Sequence, residues 1–416
     1  MPGELATMKN REFELVVFGA TSFVGKLVCA YLAKEYTEPN LTWAMAARSE
    51  SKLLELKQAL GEVASPIPLI VADSMDENSL LAMSERTAVL ISTVGPYALY
   101  GDLLLKACIS SGTDYCDLTG EPQWIKRMLD LHEASAQASG ARIVNCCGFD
   151  SIPSDLGVKF LQEQAQQRFG RYCDRVKMRV LAMKGGASGG TIASGINMYK
   201  EAAGDTALQA ELKDLYSLCD EDYDHRLSQH DVSVEYDEDF NAWAGPFVMA
   251  AINTRVVLRS NAIAAHPYSK EFYYDEGMLT GAGRKGEKRA RRLSLATRIM
   301  ARALTLGLIR WLAARLFLPK PGEGPSPQQR ENGHYDLRFV GRTERGEVIR
   351  VRVTGDRDPG YGSTAKMLAQ AAISLRRDVD KDSLAGGFWT PATVFNDRLI
   401  QRLQFHAGMK FELLDD

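Results

Sequence analysis

Between Phe13 and about Cys147 the chain alternates short, continuously apolar runs with helix-length amphipathic stretches, and this rhythm restricts the fold more than any other feature. The runs are ELVVFG (14–19), LTWAMAA (41–47), IPLIVAD (67–73), AVLISTVG (88–95), Tyr115–Leu118 and ARIVNC (141–146). Helical segments fall near 24–36, 50–60, 76–84, 101–111 and 122–139. A strand that is apolar at every position is buried on both faces, the condition of a parallel sheet covered by helices. Right-handed crossovers between such strands give a doubly wound, Rossmann-like α/β layer, expected over residues 1–150. At about 150 residues per domain, the 416-residue chain has room for two or three.

After Asp150 the texture changes. SIPSDLGVKFLQEQAQQRF (151–169) reads as a helix with Ser151 or Ser154 at its N-cap and Pro153 near its start. DRVKMRVLAM (174–183) alternates like a strand. GGASGGTIASG (185–195), with five glycines in eleven residues, reads as a connecting loop, with a second phosphate cradle as the alternative. VSVEYD (232–237), NTRVVLRSNA (253–262), KEFYYDE (270–276), HYDLRFVGR (334–342) and EVIRVRVTGD (347–356) look like antiparallel strands with one wet face. An inserted α+β domain is therefore expected over 151–355. Residues 356–416 return to helix, with STAKMLAQAAISLRRD (363–378), a Gly386-Gly387 turn and a last helix around 392–406.

Lys and Arg number 50 against 53 Asp and Glu, so a formal charge of −3 gives no footprint for nucleic acid. Seven cysteines without CxxC spacing fit a reducing compartment. The N-terminal apolar run is too short for a secretory signal, and a cytoplasmic location is expected. Histidines 132, 225, 230, 266, 334 and 406 lack metal-ligand spacing, so no metal is expected.

Two stretches break the near-neutral balance. Residues 220–239 hold nine acids against Arg226, and residues 284–318 hold ten Lys/Arg against Glu287. Within 289–318, Arg291, Arg298 and Arg302 share one helical face while Leu293, Met300, Leu304 and Trp311 repeat on the opposite one. Its longest charge-free stretch, Ala303 to Ile309, is too short to span a bilayer. A basic amphipathic helix of this kind can lie in a membrane surface, here the inner face of the plasma membrane, or wall an acyl channel. The alternative is a helix packed into a domain or homodimer interface with its arginines in solvent.

The chemical signal is VVFGATSFVGKLVCAYL (16–32): a strand, a glycine turn, then a helix opening near Phe23. Unpaired amides and the positive end of a helix dipole suit a diphosphate, so Gly19, Ala20, Thr21, Ser22, Phe23, Val24 and Gly25 are candidate cofactor contacts. The spacing is G-x-x-S-x-x-G, and Ser22 either hydrogen-bonds a phosphate or crowds it. The second strand ends AMAARSESK (44–52) with no acid at its tip. Arg48 stands where a cation accommodates the 2′-phosphate, with Lys52 one helical turn on, so NADP(H) is favoured over NAD(H). Asp73 is a candidate neighbour of the adenine amine, and Val94, Gly95 and Pro96 should line the nicotinamide side.

With these residues the chain resembles the saccharopine dehydrogenase-like oxidoreductases, in particular the branch containing the trans-acting enoyl reductases of bacterial lipid and polyketide assembly. The matching stretches are GATSFVG (19–25), AARS (46–49), STVGPYALYG (92–101), GTDYCDLTGE (112–121), CGFDSIPSDLG (147–157), GGTIAS (189–194), DPGYGSTA (358–365) and GGFWTPA (386–392). Ser22 departs from the family's usual glycine. The resemblance implies a Rossmann domain, an inserted α+β domain and C-terminal helices returning to the first.

Three of these stretches fall at the carboxyl ends of strands, where ligands sit in an open α/β sheet. Tyr97 or Tyr100 is a candidate proton donor, and Asp150 and Ser151 are candidates to orient substrate or cap the next helix. Asp117 and Asp150 have a bland alternative as helix caps or buried hydrogen-bond anchors, and Tyr97 as a packing residue. The leading expectation is an NADP(H)-dependent enoyl reductase acting on an acyl, lipid or polyketide-type substrate, carrier-bound or lipid-borne. An amino-acid oxidoreductase and a non-catalytic, lipid-associated Rossmann protein are the alternatives.

Overall fold

The computed structural model describes residues 11–36, 40–185, 189–220, 227–305 and 324–415. The chain opens with β1 (Phe13–Phe18), α1 (Phe23–Glu35), β2 (Trp43–Ala47), α2 (Glu50–Leu60), β3 (Leu69–Val71), α3 (Glu77–Ser84) and β4 (Thr87–Ser92). Then follow α4 (Tyr97–Tyr100), α5 (Asp102–Ser111), β5 (Asp114–Asp117), α6 (Pro122–Ser139), β6 (Arg142–Val144), α7 (Ile152–Phe169) and β7 (Arg175–Lys184). The middle of the chain forms α8 (Gly189–Ala202), α9 (Thr206–Glu211), β8 (Glu235–Asp237), β9 (Ala242–Pro246), α10 (Ala250–Ile263), β10 (Tyr273–Gly281) and α11 (Gly283–Thr305). It closes with α12 (Pro327–Glu331), β11 (His334–Arg342), β12 (Val348–Gly355), α13 (Thr364–Arg377), β13 (Gly387–Trp389), α14 (Pro391–Val394), α15 (Asn396–His406) and β14 (Met409–Leu414).

Two seven-stranded sheets result. The first runs β13–β6–β5–β4–β1–β2–β3 with every pairing parallel. Leu15 and Val17 of β1 enter one core and Val16 and Phe18 the other, which is why this strand is apolar at consecutive positions. The chain winds outward from β1 through β2 to β3, then restarts on the other side at β4. That reversal opens a crevice beyond the carboxyl ends of β1 and β4. The second sheet runs β14–β12–β11–β7–β10–β9–β8, antiparallel except for β7 beside β10. Along β12 half-buried and buried residues alternate, the pattern of a sheet with one wet face.

Several segments differ from their sequence reading. NTRVVLRSNA lies in α10, not in a strand. Its β-branched residues suit either state, and helical packing against α7 and β10 decides it. The helix buries Arg255 and Arg259, whose guanidiniums donate to Ser217 Oγ (3.1 Å) and Leu212 O (2.7 Å), and to Leu218 O (2.5 Å) and Phe388 O (3.0 Å). The end of the glycine-rich 185–195 stretch opens α8 instead of a loop. The Gly386-Gly387 turn leads directly into β13, the edge strand beside β6. The C-terminal segment serves both sheets: α13 packs against α1, β4 and β5, while β14 pairs with β12 of the second sheet. The basic helix begins at Gly283 and is described to Thr305; the rest of 289–318 lies outside the described residues. No helix among the described residues is long and apolar enough to cross a membrane. The seven cysteines are buried and free, and the described residues hold no group of side chains arranged for a metal ion.

Candidate active site

The turn after β1 is built for close backbone approach. Gly19 adopts φ +83°, and a Cβ there would lie 2.7 Å from Thr93 Oγ1. A Cβ on Gly25 would lie 2.1 Å from Gly19 O, so only glycine lets α1 start this close to the strand. The amides of Gly19 and Ala20 donate to Ala46 O, and that of Ser22 to Gly19 O. Those of Thr21, Phe23 and Val24 carry no hydrogen bond among the described residues, leaving donors at the positive end of α1 for an anion. Phe23 is held from outside by the Tyr361 ring (5.1 Å) and the Arg330 guanidinium (5.5 Å).

Ser22 has partners in and beside the turn itself. Its hydroxyl accepts from Gly25 N (2.9 Å), capping α1, and shares a hydrogen bond with Thr93 Oγ1 (2.9 Å). Thr93 in turn donates to Gly19 O (3.0 Å), so serine and threonine tie the turn to the end of β4. Thr93 carried no distinguishing sequence signal, because its role depends on β4 lying beside β1. A Ser22→Gly variant is expected to lose only a few tenths of a kcal/mol from the cap, with cofactor affinity within about twofold. Thermal melting and a fluorescence titration check this, and a large gain in affinity would show that the hydroxyl had crowded the site.

On the neighbouring strand, Arg48 directly follows β2 and is exposed, with no ion pair or hydrogen bond among the described residues. Lys52 is exposed in the first turn of α2, where Ser49 caps the helix by accepting from Lys52 N. Asp73, beyond β3, accepts from Met75 N (3.0 Å), and its amide donates to Ser79 Oγ (3.1 Å). It shapes the turn into α3 just beyond the carboxyl end of β3.

On the other side, Val94, Gly95 and Pro96 leave β4 along the crevice wall, with Ser194 of α8 approaching Gly95. Tyr97 is not free to donate a proton there. Its hydroxyl donates to Ser92 O (3.0 Å) and accepts from Leu118 N (3.4 Å), its ring lies 5.3 Å from Trp124, and burial pushes its pKa well up. Glu121, also buried, accepts from the amides of Tyr97 (2.9 Å) and Ala98 (3.0 Å) and caps α4. Tyr100 is exposed at the end of α4. Asp117 anchors two loops by accepting from Thr119 N (3.1 Å), Cys146 N (3.1 Å) and Asn145 Nδ2 (2.8 Å); burial still raises its pKa to about 7.

Asp150 differs from these. It sits in the loop between β6 and α7, half-buried, and its carboxyl makes no hydrogen bond or ion pair among the described residues. Oδ2 lies 3.5 Å from where a Cβ on Gly120 would stand, so glycine keeps the space in front of it open. Burial, and then the nearby Glu276, push its pKa to about 7. Glu276 itself is buried on β10, accepting from Tyr274 Oη (2.6 Å), Asn253 Nδ2 (2.9 Å) and the Ser154 hydroxyl. Ser151 occupies the N-cap of α7 without capping it, and its buried hydroxyl has no partner among the described residues. The Asp150 loop is held from the C-terminal segment, where Thr364 Oγ1 accepts from Phe149 N (3.0 Å) and donates to Pro359 O (2.7 Å). Along the carboxyl edge of the first sheet, among the described residues, there are thus free amides after β1, an unpaired cation after β2 and an unpaired, protonatable carboxyl after β6. Glu276 and Thr364 were not legible as site residues, since each reaches Asp150 only through the fold.

Comparison with known proteins bears on this geometry. Residues 15–144 match the family model described as the saccharopine dehydrogenase NADP-binding domain. The chain is 36% identical over 416 residues to the trans-acting enoyl reductase of Mycobacterium ulcerans, covering 95% of this chain and 96% of that one. The trans-acting enoyl reductase of Mycobacterium tuberculosis is 36% identical over 420 residues with the same coverage. A second Mycobacterium tuberculosis protein, 37% identical over 419 residues, carries that designation provisionally. Among solved structures, apo saccharopine dehydrogenase (L-Glu forming) of Saccharomyces cerevisiae superposes with a TM-score of 0.53 at 13% identity, covering 97% of this chain and 100% of that one, a likeness of fold.

Proposed function

This chain belongs to the trans-acting enoyl reductase family of saccharopine dehydrogenase-like oxidoreductases, and from that premise we propose that it saturates the α,β-double bond of an acyl thioester or ester. NADPH, when bound, supplies the hydride that reaches the β-carbon. The chain's own task is to hold the diphosphate on the amides of Thr21, Phe23 and Val24, meet the 2′-phosphate with Arg48, and deliver a proton to the α-carbon. The observation that carries this reading is Asp150: a carboxyl without a partner among the described residues, with a pKa near neutrality, beyond the carboxyl end of β6 in the same parallel sheet. Ser151 is the neighbouring candidate to orient the substrate carbonyl. Mixing the protein with NADPH and a 2-enoyl thioester, and following loss of nicotinamide absorbance with mass analysis of the product, tests it. Consumption of NADPH with a saturated acyl product is expected; no turnover across a series of chain lengths, on carrier and off it, would overturn it.

Arg48→Ala is expected to weaken NADPH binding by about 10- to 100-fold, the loss of one charge-assisted contact, and to leave NADH binding unchanged. Parallel fluorescence titrations check it, and an equal loss for both nucleotides would remove Arg48 from the 2′-phosphate.

An acyl chain on a carrier or in a lipid is the finer reading of the substrate, and contact of α11 with a membrane belongs with it. The amino-acid alternative needs cations free to receive substrate carboxylates. The guanidiniums of Arg255 and Arg259 are engaged by backbone carbonyls and, for Arg255, the Ser217 hydroxyl, which favours the acyl reading.

A further inference from the structure

Helix α11 joins eight Lys and Arg to a single acid, Glu287. Its inner side is made of small residues. Gly286, Ala290 and Ser294 are buried, Gly286 so tightly against β10 that a Cβ would lie 1.8 Å from Gly281 O. Leu293 packs over Gly245 of β9. The apolar residues are therefore not one buried stripe. Leu295, Ile299 and Met300 are 59%, 58% and 54% exposed.

The outer side combines two chemistries. In its first turns Arg284, Lys285, Lys288 and Arg292 are exposed and make no ion pair among the described residues, whereas Arg291 is paired with Glu287. Lys288, Arg292, Leu295 and Ile299 follow at intervals of four, three and four, so cations and apolar side chains lie along the same face. Long basic side chains can keep their charges among phosphates while neighbouring apolar groups enter the acyl boundary. In a parallel pairing, a second copy of the same face would bring four unpaired cations against four others, which opposes that mode of self-association. We propose that this face of α11 docks the protein on the surface of an anionic phospholipid bilayer. The partner rests on the acyl-substrate reading for its purpose: α8 packs against both α11 and α4, so a single helix separates the docking face from the Gly95 wall of the crevice.

Full-length protein is sedimented with vesicles of phosphatidylcholine, with or without phosphatidylglycerol, over a range of salt. Binding to the anionic vesicles is expected to exceed binding to neutral ones by at least about tenfold and to fall as salt rises. Leu295→Asp with Ile299→Asp, and separately the Gln substitutions of Arg284, Lys285, Lys288 and Arg292, should each cut it by about tenfold or more. All these side chains are exposed, so thermal melting and NADPH affinity should stay at wild-type values and separate lost docking from lost folding. Equal binding to both vesicle types, or variants that partition like wild type, would overturn the proposal. So would variants whose only effect is to abolish self-association in sedimentation velocity, which would assign the face to a second copy. Vesicle binding is read without turnover, so its failure leaves enoyl reduction standing, and an inactive protein that still binds vesicles leaves docking standing.

Discussion

Replacing Asp150 with asparagine is expected to lower kcat for enoyl reduction by about 10²- to 10⁴-fold, the usual contribution of a positioned general acid, while NADPH affinity stays at its wild-type value. Asparagine fills the same half-buried space in front of Gly120 and removes only the transferable proton. The reaction needs that proton because hydride arrival at the β-carbon leaves negative charge at the α-carbon and carbonyl. The pH dependence has a definite sign. With its pKa at about 7, raised by burial and by Glu276, Asp150 is protonated and competent below neutrality and ionised above it. The wild-type kcat should therefore be level on the acid side and fall above about pH 7, and Asp150→Asn should remove that limb together with most of the rate. Glu276→Gln removes the neighbouring charge, so it should move the limb to lower pH without abolishing turnover at acid pH; a purely structural role for Glu276 would lower the rate and leave the limb in place. Steady-state kinetics over a pH range, paired with nucleotide titration, measures all three. An Asp150→Asn enzyme within about twofold of wild type would exclude this carboxyl as the acid, leaving the buried hydroxyl of Ser151 as the next group to test.

What could be read from sequence alone was local. The order strand, glycine turn, helix from Val16 to Leu32 is written in neighbouring residues, as is the absence of an acid after β2, so the crevice and Arg48 were legible. Asp150 was visible as part of a motif, but its reason for being protonatable was not. That reason is burial first and Glu276 of β10 second, and neither is local to the motif. Tyr97 misled for the same cause. A tyrosine after Gly-Pro at a strand end suits a proton donor, and only the packing of β4 beside β5 shows its hydroxyl bound to Ser92 O and Leu118 N. The α10 segment failed differently: its β-branched residues carry no decisive local preference, and the contacts that make it helical come from α7 and β10. Gly387 became part of a strand because β6 still had an open edge, a fact about the sheet and not about the Gly-Gly pair.

The other large effect is expected at the opposite end of the crevice's support. Arg142→Met should destabilise the protein by about 3–5 kcal/mol, the range for breaking one side of a buried ion pair. Arg142 and Asp114 are each 2% exposed, and the guanidinium meets Asp114 Oδ2 at 2.6 Å from Nη2 and 3.1 Å from Nε. Its remaining donors go to Leu375 O, a carbonyl in the last turn of α13 that the helix itself leaves unpaired, and to Val379 O two residues beyond the helix, both at 2.9 Å. Methionine matches the apolar stem but orphans those carbonyls and leaves Asp114 with the backbone amide of residue 142 at 2.9 Å and Lys381 at 3.2 Å. Because α13 begins at Thr364, whose hydroxyl receives Phe149 N, loosening its far end should reach the Asp150 loop before it reaches the turn after β1. The variant should thus lose melting temperature and kcat together, with protection against hydrogen exchange falling first over 364–379 and NADPH affinity changing least. A loss below about 1 kcal/mol would mean that Lys381 suffices for Asp114 and that α13 is held by its apolar face alone. Loss of NADPH affinity ahead of kcat would place the coupling on the nucleotide side of the sheet, contrary to the path through Thr364.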